Sequence, residues 1–313
     1  MPEPAPFHHA VAEGPEDARA VWVRAEDGVR LRLAVWPGGT RGTVLLFPGR
    51  TEYVEKYGRT AGEFRALGLS VIAIDWRGQG LAERHLDDRA TGHVIEFPDY
   101  QLDVAEMLRL ARAEGLAEPY FLIAHSMGGC IGLRSLMEDL PVRAAAFTAP
   151  MWGIPISGLL RPVAWSLSWA SQRMGFGHRY VPGTAPETYV EGAPFEDNVL
   201  TTDREMFDYM LRQVSEHPDL ALGGPSLHWL FEALMETRAL ARRPAPEVPC
   251  LTWLGGNERV VDTDPIHARM AGWPGGRLEL VDRAEHEVLM ERPEVRDRVM
   301  AETAGFFGLR DAA

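Results

Sequence analysis

A serine in a tight strand-to-helix corner is the side chain of this sequence best placed to do chemistry. Residues 120–123 form an apolar run typical of a buried strand, and a helical pattern begins at Met127. Between them, Ala124-His125-Ser126-Met127-Gly128 places small residues two before and two after the serine. Strand and helix approach closely at such a corner, and the hydroxyl is presented at the positive end of the helix. The pattern predicts that Ser126 is a nucleophile, the plainer alternative being a serine in an ordinary strand–helix turn.

A serine nucleophile needs a base to take its proton and an acid to hold that base in the correct tautomer. At corners of this kind the chain order is serine, then acid, then histidine. His286 follows directly on the last predicted strand, at residues 277–281. The other downstream histidines fall in helical segments: His178, His217, His228 and His267. We therefore predict that His286 is the general base.

The acid is expected in the loop after the preceding strand, at residues 250–254, because the ends of parallel strands share one edge of a sheet. That loop offers Glu258 and Asp262. Glu258 is closer to the strand end, whereas Asp262 could cap a helix or form an Asx-turn before Pro265. We favour Glu258 and retain Asp262 as the alternative acid.

Two backbone N–H groups must stabilise the oxyanion of an acyl transfer. The N–H of Met127, directly after the serine, is one candidate. The second is the N–H of Arg50, which follows the apolar run at residues 43–47 and the pair Pro48-Gly49, where the backbone can come close. The side chain of Arg50 could bind an anionic headgroup, although a salt bridge to Glu52 or Glu55 is the plainer expectation.

Strands alternate with helices along most of the chain, which predicts an α/β fold with a mostly parallel sheet and helices on both faces. The predicted strands are residues 21–25, 29–36, 43–47, 70–75, 120–123, 144–148, 250–254 and 277–281. Between residues 151 and 243 no strand pattern occurs, and the segment has helical periodicity and many aromatic residues. We predict a flexible tail at residues 1–19, a core at 20–150 and 244–313, and an inserted helical cap at 151–243.

Composition excludes several classes of function. The formal net charge of −13 argues against nucleic acid as a partner and against strong attachment to anionic lipid, leaving at most transient membrane contact. Cys130 and Cys250 are isolated in sequence, so we expect neither a disulfide framework nor a metal site. The N-terminus lacks the apolar stretch of a signal peptide and no membrane span is predicted, so we expect a cytoplasmic location.

Five stretches together resemble the α/β-hydrolase family of monoacylglycerol lipases and bacterial lysophospholipases, which includes serine aminopeptidase-like hydrolases. They are Phe47-Pro48-Gly49-Arg50-Thr51-Glu52, Asp75-Trp76-Arg77-Gly78-Gln79-Gly80, Ala124-His125-Ser126-Met127-Gly128-Gly129, Asn257-Glu258-Arg259-Val260-Val261-Asp262 and Glu285-His286-Glu287-Val288-Leu289-Met290-Glu291. Three positions depart from the usual pattern: Ala124 replaces a glycine, Glu258 stands where many relatives have aspartate, and Pro48 where lipases often have histidine. The resemblance implies an α/β-hydrolase fold and a single-acyl lipid as substrate.

The sequence thus predicts a serine hydrolase that cleaves a carboxylic ester of a lysophospholipid or monoacylglycerol through an acyl-enzyme, without metal or cofactor. Within the same chemistry, an aminopeptidase-like enzyme or a short-chain carboxylesterase is the alternative. A peptidase would need a cap carboxylate to hold the substrate amine, and four are available: Glu187, Glu191, Glu196 and Asp197. A different class would be a non-catalytic hydrolase-fold protein that only binds acyl ligands.

Overall fold

One sheet of nine strands crosses the computed structural model, which describes residues 2–156 and 161–309, with the backbone alone at 161–164. The strands are β1 (Glu3–Ala5), β2 (Arg19–Arg24), β3 (Arg30–Trp36), β4 (Thr43–Phe47), β5 (Ser70–Asp75), β6 (Tyr120–His125), β7 (Ala144–Thr148), β8 (Cys250–Gly255) and β9 (Arg277–Val281). Their order is β1-β2-β3-β5-β4-β6-β7-β8-β9. The neighbouring pairs β1–β2, β2–β3 and β3–β5 are antiparallel. All the remaining neighbours, from β5 across to β9, are parallel. The predicted mostly parallel sheet is confirmed.

Helices cover both faces of this sheet. They are α1 (His9–Ala12), α2 (Gly58–Ala66), α3 (Tyr100–Ala113), α4 (Ser126–Met137), α5 (Arg161–Arg173), α6 (Tyr189–Gly192), α7 (Arg204–Glu216), α8 (Leu227–Ala241), α9 (Thr263–Ala271) and α10 (Pro293–Phe306). Because successive side chains of a strand point to opposite faces, β4 contributes to two cores. Leu45 and Phe47 join the core that includes α3 and α4, and Val44 and Leu46 join the one that includes α2 and α10.

The N-terminal segment differs from the predicted flexible tail. β1 pairs antiparallel with β2, and Val11 and Ala12 are buried. Two polar side chains of α7 also hold this segment: the hydroxyl of Tyr209 donates to the Ala12 carbonyl at 2.8 Å, and Nε2 of Gln213 donates to the Val11 carbonyl at 2.8 Å. Elements of three and four residues are too short to show periodicity, so no sequence pattern indicated this packing.

Between β7 and β8 the described residues form helices and turns without a strand, in agreement with the predicted helical character of residues 151–243. We call residues 151–243 the insertion; its residues 157–160 lie outside the described part of the chain, as do Met1 of the predicted tail and residues 310–313 of the predicted core. Backbone bonds join the insertion to the loop after β9, since the N–H of His286 donates to Val199 and that of Glu287 to Leu200. Among the described helices, none has the length and apolar character that crossing a bilayer requires.

Candidate active site

Ser126 occupies the corner between β6 and α4 and is the first residue of the helix. Its φ of +49° lies in the left-handed region, a conformation that costs a non-glycine residue about 1–3 kcal/mol. The corner is so tight that a Cβ added at Gly128 would lie 2.2 Å from the Phe47 carbonyl oxygen. The requirement for a small residue there, predicted from the sequence, follows from this contact with β4.

His286 and Glu258 meet at the same edge of the sheet, in the loops after β9 and β8. Nδ1 of His286 lies 2.8 Å from Oε2 of Glu258, and both side chains are almost completely buried. Oε1 of Glu258 accepts the N–H groups of Val260 at 2.6 Å and Val261 at 3.0 Å. Burial alone would raise the pKa of Glu258, but these hydrogen bonds and the neighbouring imidazole outweigh it and lower that pKa. An ionised Glu258 therefore accepts a hydrogen bond from Nδ1 of His286, which orients the ring and leaves Nε2 without a bonded partner among the residues that the structure describes.

The alternative acid, Asp262, has a structural role at the start of α9. It is the N-cap residue, and its Oδ1 accepts the N–H of Asp264 at 3.3 Å. The carboxylate bonded to His286 is that of Glu258. Of the two candidates left open by the sequence, geometry favours Glu258.

Arg50 lies in the loop after β4, which we call the oxyanion loop. The N–H of Arg50 was predicted to bind the oxyanion, and its side chain to bind a headgroup or a nearby carboxylate. Neither this N–H nor that of Met127 has a hydrogen-bond partner among the described residues, so both remain available to an oxyanion. The loop itself is tied down by Glu52, whose Oε2 accepts the N–H of Gly49 and, at 2.5 Å, the hydroxyl of Tyr57. Nε2 of Gln79 adds a 2.8 Å bond to the Gly49 carbonyl. Side chains thus position this loop from several directions.

A buried ion-pair cluster lies beneath the loop. Nζ of Lys56 bonds to Oε1 of Glu52 at 2.6 Å and also to Glu287. Burial acts to raise the pKa of Glu52, but the charge of Lys56 outweighs it and lowers that pKa to about 2. Glu52, His125 and Glu287 are close enough together to resemble a metal site, but the lysine ammonium already bonds both carboxylates. The cluster is therefore accounted for by ion pairing.

His125, beside Ser126, is bonded to the neighbouring strand. Its Nδ1 lies 2.9 Å from Oγ1 of Thr148, at the end of β7. Burial lowers the pKa of His125 to about 3, so the ring is neutral at physiological pH. Its ring lies 4.7 Å from that of His286, a contact the sequence did not reveal.

A cavity of about 300 Å³ opens over these groups, and Ser126, His286 and Arg50 all line it. Much of its wall is apolar and comes from the insertion: Met151, Ile154, Val190, Val199, Leu200, Met210, Val214 and Trp229. Of the eight insertion Trp and Phe residues considered from sequence, Trp229 alone lines the cavity among described side chains. Met210 and Val214 were missed, although their i, i+4 spacing on the amphipathic helix α7 was a usable signal.

The side chain of Arg50 does not form the predicted salt bridge. Glu52 is taken by Lys56, and Glu55 by Arg32, which bonds it at 2.7 Å through both terminal nitrogens. Nη1 of Arg50 instead donates to the Gly223 carbonyl of the insertion at 2.8 Å. The expectation was wrong because two other cations lie closer to those carboxylates in the folded chain.

The insertion carboxylates that could have held a substrate amine lie away from the cavity. All four are exposed: Glu187, Glu191, Glu196 and Asp197. None lines the cavity, and Asp197 pairs with Arg259 at 3.2 Å. Among the described residues, none of these four carboxylates therefore lies at the cavity that Ser126 lines.

Comparisons with known proteins agree with this architecture. Residues 38–293 match the family model described as serine aminopeptidase, S33. Lysophospholipase L2 of Escherichia coli strain K12 is 35% identical over 277 residues, covering 84% of this chain and 79% of that protein. A monoacylglycerol lipase of Mycolicibacterium smegmatis is 33% identical over 109 residues, 33% of this chain and 36% of that one.

Among solved structures, a soluble variant of monoglyceride lipase from Saccharomyces cerevisiae, in complex with a substrate analogue, has the same fold. It superimposes with a TM-score of 0.71 at 17% identity and covers 91% of this chain and 93% of that one. The match to the family model and the similarity to the Escherichia coli protein extend over most of the sequence. This chain belongs to the serine aminopeptidase S33 family of α/β-hydrolases.

Proposed function

We propose that this protein is a serine hydrolase that cleaves the carboxylic ester of a single-acyl lipid, a lysophospholipid or a monoacylglycerol, through an acyl-enzyme. The observation that carries the proposal is the bonded pair His286–Glu258 on the cavity that Ser126 also lines. The names of the relatives, lysophospholipase and monoacylglycerol lipase, support a lipid ester as substrate. The apolar insertion wall is suited to an acyl chain.

In this proposal Oγ of Ser126 attacks the ester carbonyl while Nε2 of His286 takes the hydroxyl proton. The N–H groups of Arg50 and Met127 stabilise the resulting oxyanion. The imidazolium, held by Glu258, then protonates the leaving alcohol as the ester C–O bond breaks. Next, Nε2 of His286 takes a proton from water, which attacks the acyl-enzyme. The bond between the acyl carbon and Oγ then breaks as the imidazolium returns the proton to Oγ, which releases the fatty acid and restores Ser126.

The apolar cavity favours a lipid ester over a peptide. An aminopeptidase needs an anionic partner for the substrate amine, and the two pocket carboxylates Glu52 and Glu287 are both bound to Lys56. The exposed insertion carboxylates lie elsewhere. A short-chain ester would leave much of the apolar wall in contact with water, so we rank it below a long-chain ester.

The test is fatty-acid release from palmitoyl lysophosphatidylcholine and from monopalmitoylglycerol, in the parent and in Ser126→Ala. We expect hydrolysis of at least one ester, and a fall in kcat of about 10⁵- to 10⁶-fold in the variant because the nucleophile is lost. A fluorophosphonate should add its mass to the parent and not to Ser126→Ala. The matched control is Ser135→Ala, which lies on the same helix outside the cavity and should retain the parental kcat.

Each failure would point to a different alternative. Cleavage of short esters or aminoacyl amides alone would replace the lipid substrate but keep the chemistry. No hydrolysis and no fluorophosphonate adduct would contradict the catalytic proposal and favour an acyl-binding protein.

A further inference from the structure

Arg50 has no acidic partner among the described residues, unlike the buried cations Arg32 and Lys56. Arg32 bonds to Glu55 and Asp75, and Lys56 to Glu52 and Glu287. Within the described part of the chain, no carboxylate lies within 4 Å of the Arg50 guanidinium. A partly buried charge without a counterion is costly, so proteins usually pair such a group with a second charge, here or on a ligand.

The guanidinium is held by weak partners on the insertion. Besides the Gly223 carbonyl, it faces the ring of Trp229, whose centroid lies 5.6 Å from Cζ. Burial lowers the pKa of Arg50 to about 10, so the group still carries its charge at neutral pH. One nitrogen bonds to Gly223, and the other two have no hydrogen-bond partner among the described residues. A guanidinium has five donors in a planar fork that matches phosphate oxygens.

The position of Arg50 relates this charge to the reacting ester. The same residue supplies the proposed oxyanion N–H through its backbone, and its side chain lines the cavity together with Ser126 and His286. The second cation of the cavity, Lys56, is neutralised by two carboxylates. The phosphate of a lysophospholipid lies a few bonds from the scissile carbonyl. Among the described residues that line the cavity, Arg50 is therefore the cation that is available to pair with it.

We propose that the Arg50 guanidinium binds the phosphate of a lysophospholipid headgroup and makes Arg50 the residue that determines preference for phospholipid over glycerol esters. This inference rests on the proposed function of the same site. It assigns the two ends of the substrate to different walls: the acyl chain to the apolar surface of the insertion, the phosphate to Arg50. A neutral monoacylglycerol offers no counterion and would leave the guanidinium unpaired.

The structural alternative is that Arg50 only anchors the insertion through Gly223. The two roles predict different kinetics. Loss of an anchor would impair both substrates equally, because the cavity wall would shift for both. Loss of phosphate binding would impair the phospholipid selectively, so the ratio of kcat/KM values for two esters with one acyl chain separates them.

The experiment measures this ratio for palmitoyl lysophosphatidylcholine and monopalmitoylglycerol in the parent, in Arg50→Met and in Arg50→Lys. The matched control is Arg89→Met, which removes the same charge from an exposed site outside the cavity. We expect the ratio to fall about ten- to hundredfold in Arg50→Met, the usual effect of losing a charged hydrogen bond. Arg50→Lys should recover part of the ratio, and Arg89→Met should leave it unchanged. An equal loss on both esters, or no loss, would overturn the inference.

A binding measurement tests this inference separately from the proposed function. Calorimetry measures the binding of lysophosphatidylcholine to Ser126→Ala and to the double variant Ser126→Ala/Arg50→Met. This measurement does not depend on turnover. Binding at least tenfold weaker in the double variant supports the inference even if the parent hydrolyses neither ester, and equal binding overturns it. If inorganic phosphate competes as well as sn-glycero-3-phosphocholine, Arg50 is a general anion site and the headgroup assignment is wrong.

Discussion

The cavity has two unlike walls. On the sheet side, polar bonds hold the carboxylate that faces His286, since Glu258 bonds to His286, Val260 and Val261. On the insertion side, the wall is mostly apolar, and the polar link from Arg50 to Gly223 is a single hydrogen bond. For the proposed reaction, the difference suggests that the rigid strand edge would carry the chemistry and the insertion would bind the acyl chain.

Physical reasons favour this division. Catalytic groups must be held to within a fraction of an ångström, and the strained φ of Ser126 needs a rigid scaffold to maintain it. Apolar contacts are non-directional, so a wall that accommodates acyl chains can tolerate variation in position. The sheet and the insertion should therefore respond differently to substitution.

The largest effect is expected at the sheet edge, from Glu258→Gln. The amide keeps the size of the side chain but favours the wrong tautomer of His286, so kcat should fall about 10⁴-fold. The matched control is Asp262→Asn, four residues further along the same loop. Rates of ester hydrolysis, measured with both variants at saturating substrate, check the prediction.

Asp262→Asn should leave kcat close to that of the parent, since asparagine also serves as an N-cap for α9. Thermal unfolding of both variants shows whether a rate change reflects misfolding. If Asp262→Asn lost more activity than Glu258→Gln, Asp262 and not Glu258 would be the acid that acts on His286.

The sheet edge is also the part that the sequence predicted best. Buried strands produce continuous apolar runs, and parallel strands end at one edge, so Ser126 and His286 could be selected from sequence order alone. Glu258 could be favoured over Asp262 only by its nearness to the strand end, because a difference of four loop residues has no periodic signature. The choice depends on which carboxylate the folded loop turns toward Nδ1 of His286.

The insertion and the charge pairs were less predictable for a common reason: both depend on contacts between distant segments. Lys56 pairs with both Glu52 and Glu287, the latter 231 residues away in the sequence, so Glu52 is not available to Arg50. The pairing of β1 with β2 was likewise not predictable, because β1 has only three residues and shows no alternation pattern. Helical character in the insertion was evident, but which of its side chains line the cavity follows from packing alone.

An intermediate effect is expected from Glu52→Gln, which weakens the support of the oxyanion loop. Glu52 accepts the N–H of Gly49, one residue before the proposed donor Arg50. Removal of a donor typically costs about 10²- to 10³-fold in kcat, and displacement of the loop should cost less, about 10- to 100-fold. The effect should fall on kcat more than on KM, because the oxyanion forms only in the transition state.

The matched control for Glu52→Gln is Glu287→Gln. Both substitutions leave Lys56 with one carboxylate, but Glu287 makes no side-chain bond to the oxyanion loop among the described residues. Steady-state kinetics with a p-nitrophenyl ester should therefore show the larger loss of kcat in Glu52→Gln. Equal losses would mean that the charge balance around Lys56, and not the loop, limits the reaction.

The smallest effect is expected on the insertion side, from Leu200→Ala. Leu200 lines the cavity and is only partly buried, so its truncation should cost little folding stability. Each methylene removed from contact with the acyl chain weakens binding by about 0.8 kcal/mol, roughly a fourfold change. The ratio of kcat/KM for palmitoyl and butyryl esters should fall several-fold.

The control for this prediction is Leu280→Ala on the edge strand β9, where the leucine is 53% exposed and outside the cavity. It should leave the chain-length ratio unchanged. The backbone of Leu200 also accepts the N–H of Glu287, next to His286, and Leu200→Ala retains that bond. A loss of kcat that is equal for both chain lengths would therefore show that the wall transmits strain to His286. In that case the insertion would belong to the catalytic machinery, and the two walls could not be treated as independent.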